Sequence, residues 1–83
     1  MEETRVALIG IVVDDTSEIS KLNELLHEFG QYIIGRMGVP YKDKGINVIS
    51  IALDAPMDVI SSLSGKIGMI KGISSKVIYS KKG

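Results

Sequence analysis

The sequence predicts an α+β fold with the element order βαββαβ, because one structural pattern occurs twice along the chain. In each occurrence an apolar strand ends in aspartate and is followed by an amphipathic helix; Asp14 and Asp54 mark the two occurrences, 40 residues apart. The two strands are Val6 to Val13 and Ile46 to Leu53. A further strand after each helix completes the unit. We therefore expect a ferredoxin-like sandwich: an antiparallel four-stranded sheet with two helices on one face.

The first strand is predicted over Thr4 to Val13, and it is apolar or glycine at every position from Val6 onward. A strand without polar alternation is typical of burial on both faces. Asp14 to Ser17 supplies candidates for a helix N-cap, and Gly30 is the expected stop of the first helix near Phe29. The apolar stripe of that helix has three- and four-residue spacing and consists of Ile19, Leu22, Leu25, Leu26 and Phe29.

The second and third strands are predicted over Gln31 to Val39 and Gly45 to Leu53. The connection Gly38 to Gly45 is punctuated by proline and glycine and carries three consecutive charges, which is typical of a solvated loop. The third strand has no charge on either face from Ile46 to Leu53, so it also lacks a solvent side.

The second helix is expected to begin with Pro56 in its first turn and Asp54 as its cap, and to end near Met69. Its apolar stripe is Val59, Ile60, Leu63, Ile67 and Ile70. The fourth strand, predicted over Ile73 to Ser80, alternates apolar and polar residues. This alternation indicates an edge strand with one more polar face.

Composition limits the classes of protein that the chain can belong to. The 83 residues form one expected domain, 1–83, that is small enough to be marginally stable as a monomer. The absence of cysteine and the presence of one histidine exclude disulfides and argue against a metal site or cofactor. The net charge of zero argues against direct binding of nucleic acid.

The hydrophobic content of 45% is high for so short a chain, but the run Val6 to Val13 is too short to cross a membrane. Without a signal-peptide pattern at the N-terminus, the expected location is cytoplasmic and not membrane-bound. In a βαββαβ sandwich the first and third strands are the inner ones, and both are apolar on two faces here. We therefore expect a homo-oligomer, dimer or tetramer, that covers the face left open by the helices or pairs sheet edges.

No set of residues indicates catalysis. Asp14 and Asp15 suit helix capping better than cation binding, because neighbouring carboxylates diverge and no third ligand is near. Ser61, Ser62 and Ser64 have no histidine to activate them. An RNA-recognition motif would need aromatic residues on the first and third strands, and they have none. Regulatory ligand-binding and assembly modules remain, and we predict no enzyme.

Two longer motifs point to a family. They are the run Gly35 to Ile49, with the pattern RMGxPYxxxG, and the downstream LSGKIG of Leu63 to Gly68, within a likeness that covers nearly the whole chain. In combination they resemble the small ACT-like proteins described as proposed regulators of the iron-only hydrogenase system. The resemblance implies an ACT-like fold, similar to the effector-binding and tetramerising half of the nickel-responsive repressor, and a regulatory role beside hydrogenase maturation genes.

The resemblance to the nickel-responsive repressor does not extend to its nickel. That site uses several histidines and a cysteine, which this chain lacks. The repressor also has a separate DNA-binding segment, whereas Met1 to Glu3 alone precede the first strand here. We therefore expect any regulation to be indirect.

In ACT-like assemblies effectors bind between subunits near the turn after the first strand, and this implies a candidate site in the present chain. Its residues are Gly10, Val13, Asp14, Asp15, Thr16 and Ser17. A second candidate, richer in cations, lies in the predicted loop. Its residues are Arg36, Gly38, Pro40, Tyr41, Lys42 and Lys44. For both, the alternative is structural: a capped helix and a solvated hairpin.

The sequence thus favours a non-enzymatic, homo-oligomeric regulatory module that binds a small-molecule effector or a protein partner. The alternative is a structural or assembly partner of a maturation enzyme, with no small-molecule ligand.

Overall fold

A computed structural model describes residues 3–82 of the protein and confirms the βαββαβ order. The strands are β1 (Arg5–Val13), β2 (Ile33–Tyr41), β3 (Ile46–Ala55) and β4 (Ile73–Tyr79), and the helices are α1 (Ile19–Glu28) and α2 (Met57–Gly68). Short 3-10 turns, Thr16–Glu18 and Gly30–Tyr32, flank α1.

The four strands form one antiparallel sheet in the order β2-β3-β1-β4. The two strands without polar alternation are therefore the inner ones, as their sequences predicted. At the centre Ile9 of β1 pairs with Ile51 of β3 on one side and with Val77 of β4 on the other. The register is regular except in β2, where it shifts between Ile33 and Gly35.

Both helices lie on one face of the sheet and enclose the core. The odd-numbered residues of β1 from Ala7 and of β3 from Ile49 onward point into this core, because successive side chains of a strand alternate between faces. Leu22 and Leu26 of α1 and Ile60, Leu63 and Ile67 of α2 pack on them and are buried. No charged or polar residue within 3–82 is buried.

The opposite side of the sheet, here called the open face, is apolar and exposed to solvent. It contains eight of the large hydrophobic residues that the described chain leaves exposed. They are Val6, Leu8 and Val12 of β1, Met37, Val39 and Tyr41 of β2, Val48 of β3 and Ile78 of β4. The inner strands are thus apolar on both faces, as predicted, but no other element within residues 3–82 covers one of those faces.

The expectation that Asp54 caps the second helix is wrong. Strand β3 continues to Ala55, which is buried, so Asp54 remains within the strand and pairs with Val6. Pro56 occupies the N-cap position of α2, and its carbonyl oxygen accepts hydrogen bonds from the N–H groups of Val59 and Ile60. Asp58 provides the acidic residue of the first turn instead.

The connection between the second and third strands is shorter than predicted. Strand β2 extends to Tyr41, so the turn consists of residues 42–45 and ends at Gly45, whose φ of 66° suits glycine. Pro40 is tolerated within β2 because β2 is an edge strand, where the loss of one N–H donor is acceptable.

Candidate functional site

A groove lies between α1 and the outer half of the β2–β3 hairpin, on the helix side of the sheet. Its volume is about 220 Å³. Three elements line it: α1 with Ile19 and Asn23, β2 with Arg36, Gly38 and Pro40, and β3 with Asn47 and Ile49. We refer to it as the Arg36 groove.

The strand register brings the lining residues together. Gly38 pairs with Ile49 and Pro40 pairs with Asn47, so these four residues form the floor of the groove. Gly38 leaves the groove open at its floor because it has no side chain. A Cβ placed there would lie 3.7 Å from Cγ1 of Ile49, in the space of the groove. Ile19 and Asn23 lie one helical turn apart and form one wall.

Arg36 is the charged residue among those that line the groove. Its Nη2 donates a hydrogen bond of 2.7 Å to Oδ1 of Asn23, which fixes the guanidinium against α1. Within residues 3–82 no carboxylate lies within 4 Å of this guanidinium. The ion pair of the described chain does not involve Arg36: it joins Nζ of Lys21 to Oε2 of Glu18 at 3.0 Å. The groove therefore combines one cation with amide groups and apolar walls.

The junction between β1 and α1, a candidate effector site from the sequence, uses its polar groups internally. The Asp15 carboxylate accepts hydrogen bonds from the Ser17 hydroxyl at 2.6 Å and the Ser17 N–H at 3.1 Å. These two hydrogen bonds lower the pKa of Asp15 from its ordinary value of 3.8, and the bond from the hydroxyl has the larger effect. The positive charge of Lys71 lowers this pKa by a smaller amount. The N–H groups of Asp14 and Asp15 donate to the carbonyl oxygen of Gly72, at 2.7 and 3.3 Å.

The remaining residues of this first candidate set point in different directions. Gly10 lies on the open face of the sheet, and Val13 is buried in the core. Thr16 and Ser17 are exposed in the 3-10 turn that precedes α1. The structure thus brings Asp15 and Ser17 together as a cap and separates them from Gly10 and Val13.

The second candidate set also divides. Arg36, Gly38 and Pro40 line the Arg36 groove, whereas Tyr41 lies on the open face opposite Ile46. Lys42 and Lys44 are exposed in the turn.

Asn23 and Asn47 line the groove but were not predicted from the sequence. An isolated asparagine on a helix or strand carries no local signal that distinguishes a groove wall from a solvent-exposed position.

The described chain has neither a cluster of metal-ligating side chains nor a helix that could span a membrane. In residues 3–82 no three His, Cys, Asp or Glu side chains are grouped so that they could hold a metal ion. None of the helices over the same residues is long and apolar enough to cross a membrane.

These features define a small ferredoxin-like domain with an exposed apolar sheet face and a groove between α1 and the β2–β3 hairpin. The chain belongs to the TM1266-like family, described as a proposed regulator of the iron-only hydrogenase system, which matches residues 5–77. The match confirms the family to which the two sequence motifs pointed.

A solved structure of similar sequence agrees with this assignment. The chain is similar to the uncharacterized protein TM1266 from Thermotoga maritima, at 36% identity and a TM-score of 0.91, over 95% of this chain and 100% of that one. A formyltetrahydrofolate deformylase from Pseudomonas putida KT2440 matches at 11% identity and a TM-score of 0.64, over 88% of this chain and 28% of that one, and shows the fold alone. No curated protein matches the chain.

Proposed function

We propose that the protein is a non-enzymatic, cytoplasmic regulatory module that self-associates and binds a small effector or a partner protein of the iron-only hydrogenase system. Membership in a family of proposed regulators supports the regulatory part. The observation that carries the self-association is the open face of the sheet, where eight large hydrophobic side chains are exposed together.

The size of the open face fits a second copy of the chain. Four strands about 4.8 Å apart, each with about eight residues at about 3.4 Å, cover roughly 500 Å². The largest apolar patch on a typical monomer covers roughly 300–600 Å² and is often functional, and the open face falls in that range. Two such faces packed together would bury about 1,000 Å², which is at the lower limit of a specific interface.

The charge of the open face also permits self-association. Within the four strands Asp54 and Lys76 are the charged residues of this face, and they have opposite signs. Two copies that meet through it therefore carry no net repulsion into the interface. Gly10 and Ser50, which pair at its centre, leave space for the side chains of a partner.

The experiment is sedimentation equilibrium at micromolar concentration on the unmodified protein and on two variants with the same substitution. Met37→Lys places a charge on the open face, and Met69→Lys places one after α2, away from that face; the two methionines are 65% and 86% exposed. Met37→Lys is expected to weaken association at least tenfold, and Met69→Lys to leave it unchanged. An unmodified protein that is purely monomeric would contradict the proposal.

The alternative function is an assembly partner of a maturation enzyme that has no small-molecule ligand. A ligand that binds the folded state raises the melting temperature by mass action, whereas an assembly module responds to its protein partner alone. Native mass spectrometry of the protein purified from its own host separates the two. An oligomer that carries a reproducible small mass favours the effector, and a bare oligomer favours the assembly partner.

A further inference from the structure

We propose that the Arg36 groove binds a small organic carboxylate with a short hydrocarbon body. This inference rests on the regulatory function proposed above and names the class of its effector. The carboxylate would pair with the guanidinium of Arg36, and the hydrocarbon would lie on Ile19, Pro40 and Ile49.

The guanidinium is prepared for an anion. An arginine has five N–H donors in a planar fork that matches a carboxylate, and the bond from Nη2 to Asn23 Oδ1 occupies one side of it. That bond holds the side chain in place, so less conformational freedom is lost when a ligand binds. In the described part of the chain no carboxylate within 4 Å competes for the charge of Arg36.

The walls of the groove distinguish between anions. A phosphate carries up to two charges and prefers several cations or a row of backbone N–H groups, and this groove offers one cation. Its apolar residues, Ile19, Pro40 and Ile49, would instead gain from contact with a hydrocarbon. A ligand with a carboxylate at one end of an aliphatic chain can pair with the Arg36 cation and contact the apolar residues at the same time.

The dimensions favour a small ligand. Sites for drug-sized molecules have volumes of roughly 300–1,000 Å³, and the Arg36 groove has about 220 Å³. Asn23 is hydrogen-bonded to Arg36, and Asn47 lies opposite Pro40 further along the groove. Each side-chain amide has two N–H donors that can bind an additional oxygen of the ligand.

The probe is butyrate, titrated into the ¹⁵N-labelled full chain at 0.15 M salt while amide chemical shifts are recorded. We expect saturable shifts that are largest at Asn23, Arg36, Gly38 and Asn47. Butylammonium has the same hydrocarbon with the opposite charge, and inorganic phosphate has the charge without the hydrocarbon; both are expected to bind at least tenfold more weakly. Shifts that do not saturate, or that are largest outside the groove, would overturn the proposal.

Three variants test the roles of the residues. Arg36→Gln should weaken butyrate binding about tenfold or more, because it removes a charged hydrogen-bond donor. Lys44→Gln removes one positive charge from the neighbouring turn and should leave the affinity unchanged. Gly38→Val fills the groove and should abolish binding with the amide spectrum otherwise preserved. Equal affinity of Arg36→Gln and the unmodified protein would refute the proposed pairing.

The oligomeric state is measured by sedimentation on the same samples, so that the two proposals fail separately. If butyrate does not bind and the protein still associates, the ligand class is wrong and the self-association stands. If butyrate binds to a monomer, the groove is a ligand site and the proposed role of the open face is wrong.

Discussion

Gly72 lies against Asp15 so closely that a Cβ at position 72 would be 2.5 Å from the Cβ of Asp15 and 3.2 Å from its backbone nitrogen. The same glycine has a φ of 77°, and its carbonyl oxygen accepts hydrogen bonds from Asp14 and Asp15. The turn that enters β4 is thereby joined to the turn that leaves β1. Any side chain at position 72 would have to separate them.

Gly72→Ala is therefore expected to lower the free energy of unfolding by about 2–4 kcal/mol, from the left-handed backbone and the steric overlap together. Urea denaturation measures the loss. The control is Gly65→Ala, within α2, where an added Cβ meets nothing within 4 Å. It should stabilise the protein by up to about 1 kcal/mol, since alanine favours a helix. A Gly72→Ala variant as stable as Gly65→Ala would contradict the close contact.

The Asp15 cap predicts a dependence of stability on pH. Because the hydrogen bonds from Ser17 lower the pKa of Asp15 in the folded state, the folded protein binds this proton less readily than the unfolded chain. The contribution is complete above the ordinary pKa, 3.8, and is lost as the pH falls through the lower folded value. Urea unfolding between pH 2 and 7 should show that Asp15→Asn loses this part of the acid sensitivity.

Ser17→Ala provides an independent check of the same cap. It removes the hydroxyl that makes the strongest hydrogen bond to Asp15, so the pKa of Asp15 measured by NMR should rise toward its ordinary value. A pKa that stays where it is in the unmodified protein would show that the hydroxyl is not the cause.

The centre of the open face can be tested with Gly10. An added Cβ there has no neighbour within 4 Å, and glycine within a strand costs roughly 0.5–1 kcal/mol relative to alanine. At a dilution where the chain is dissociated, Gly10→Val should therefore be as stable as the unmodified protein or more stable. In a complex of two copies that meet through this face, the added side chain should hold the two sheets apart. We expect association at least tenfold weaker by sedimentation. Unchanged association would place the contact elsewhere.

The ends of α1 and α2 are joined by a cation–π contact. The ammonium nitrogen of Lys66 lies 5.4 Å from the centre of the Phe29 ring. In a double-mutant cycle with Lys66→Met and Phe29→Leu, the coupling free energy should be about 0.5–1 kcal/mol, typical of such pairs at exposed positions. Urea denaturation of the four proteins measures it, and additive effects of the two substitutions would exclude the interaction.

The sequence was informative about the sheet because its signals there are local and repeated. Strands without polar alternation were expected to be the inner ones, and β1 and β3 are. Two expectations were wrong, the length of the connection between β2 and β3 and the capping role of Asp54. Both were wrong because the same residue type has a different structural meaning at different positions in a sheet. Gly38 and Pro40 suggested a loop but lie in an edge strand, where both residues are tolerated. Asp54 matched Asp14 in the repeat, yet β3 continues one residue beyond it.

The candidate groove could be predicted in part. Arg36, Gly38 and Pro40 were selected from one stretch of sequence, and the structure places them together. Their counterparts Asn23 and Asn47 come from other elements, and the hydrogen bond between Arg36 and Asn23 spans 13 positions of the chain. Such a pairing depends on the packing of α1 beside β2, which no local pattern of residues encodes.

The irregularity of β2 has a consequence for the behaviour of concentrated protein. Exposed strand edges are templates for open-ended growth into fibrils, and sheets resist this with bulges, edge prolines and lysines. One edge of this sheet contains both the register shift at Ile33 to Gly35 and Pro40, and the other contains Lys76. We therefore expect resistance to fibrillation in spite of the apolar composition, because one border of the sheet is interrupted by a register shift and a proline and the other carries a lysine.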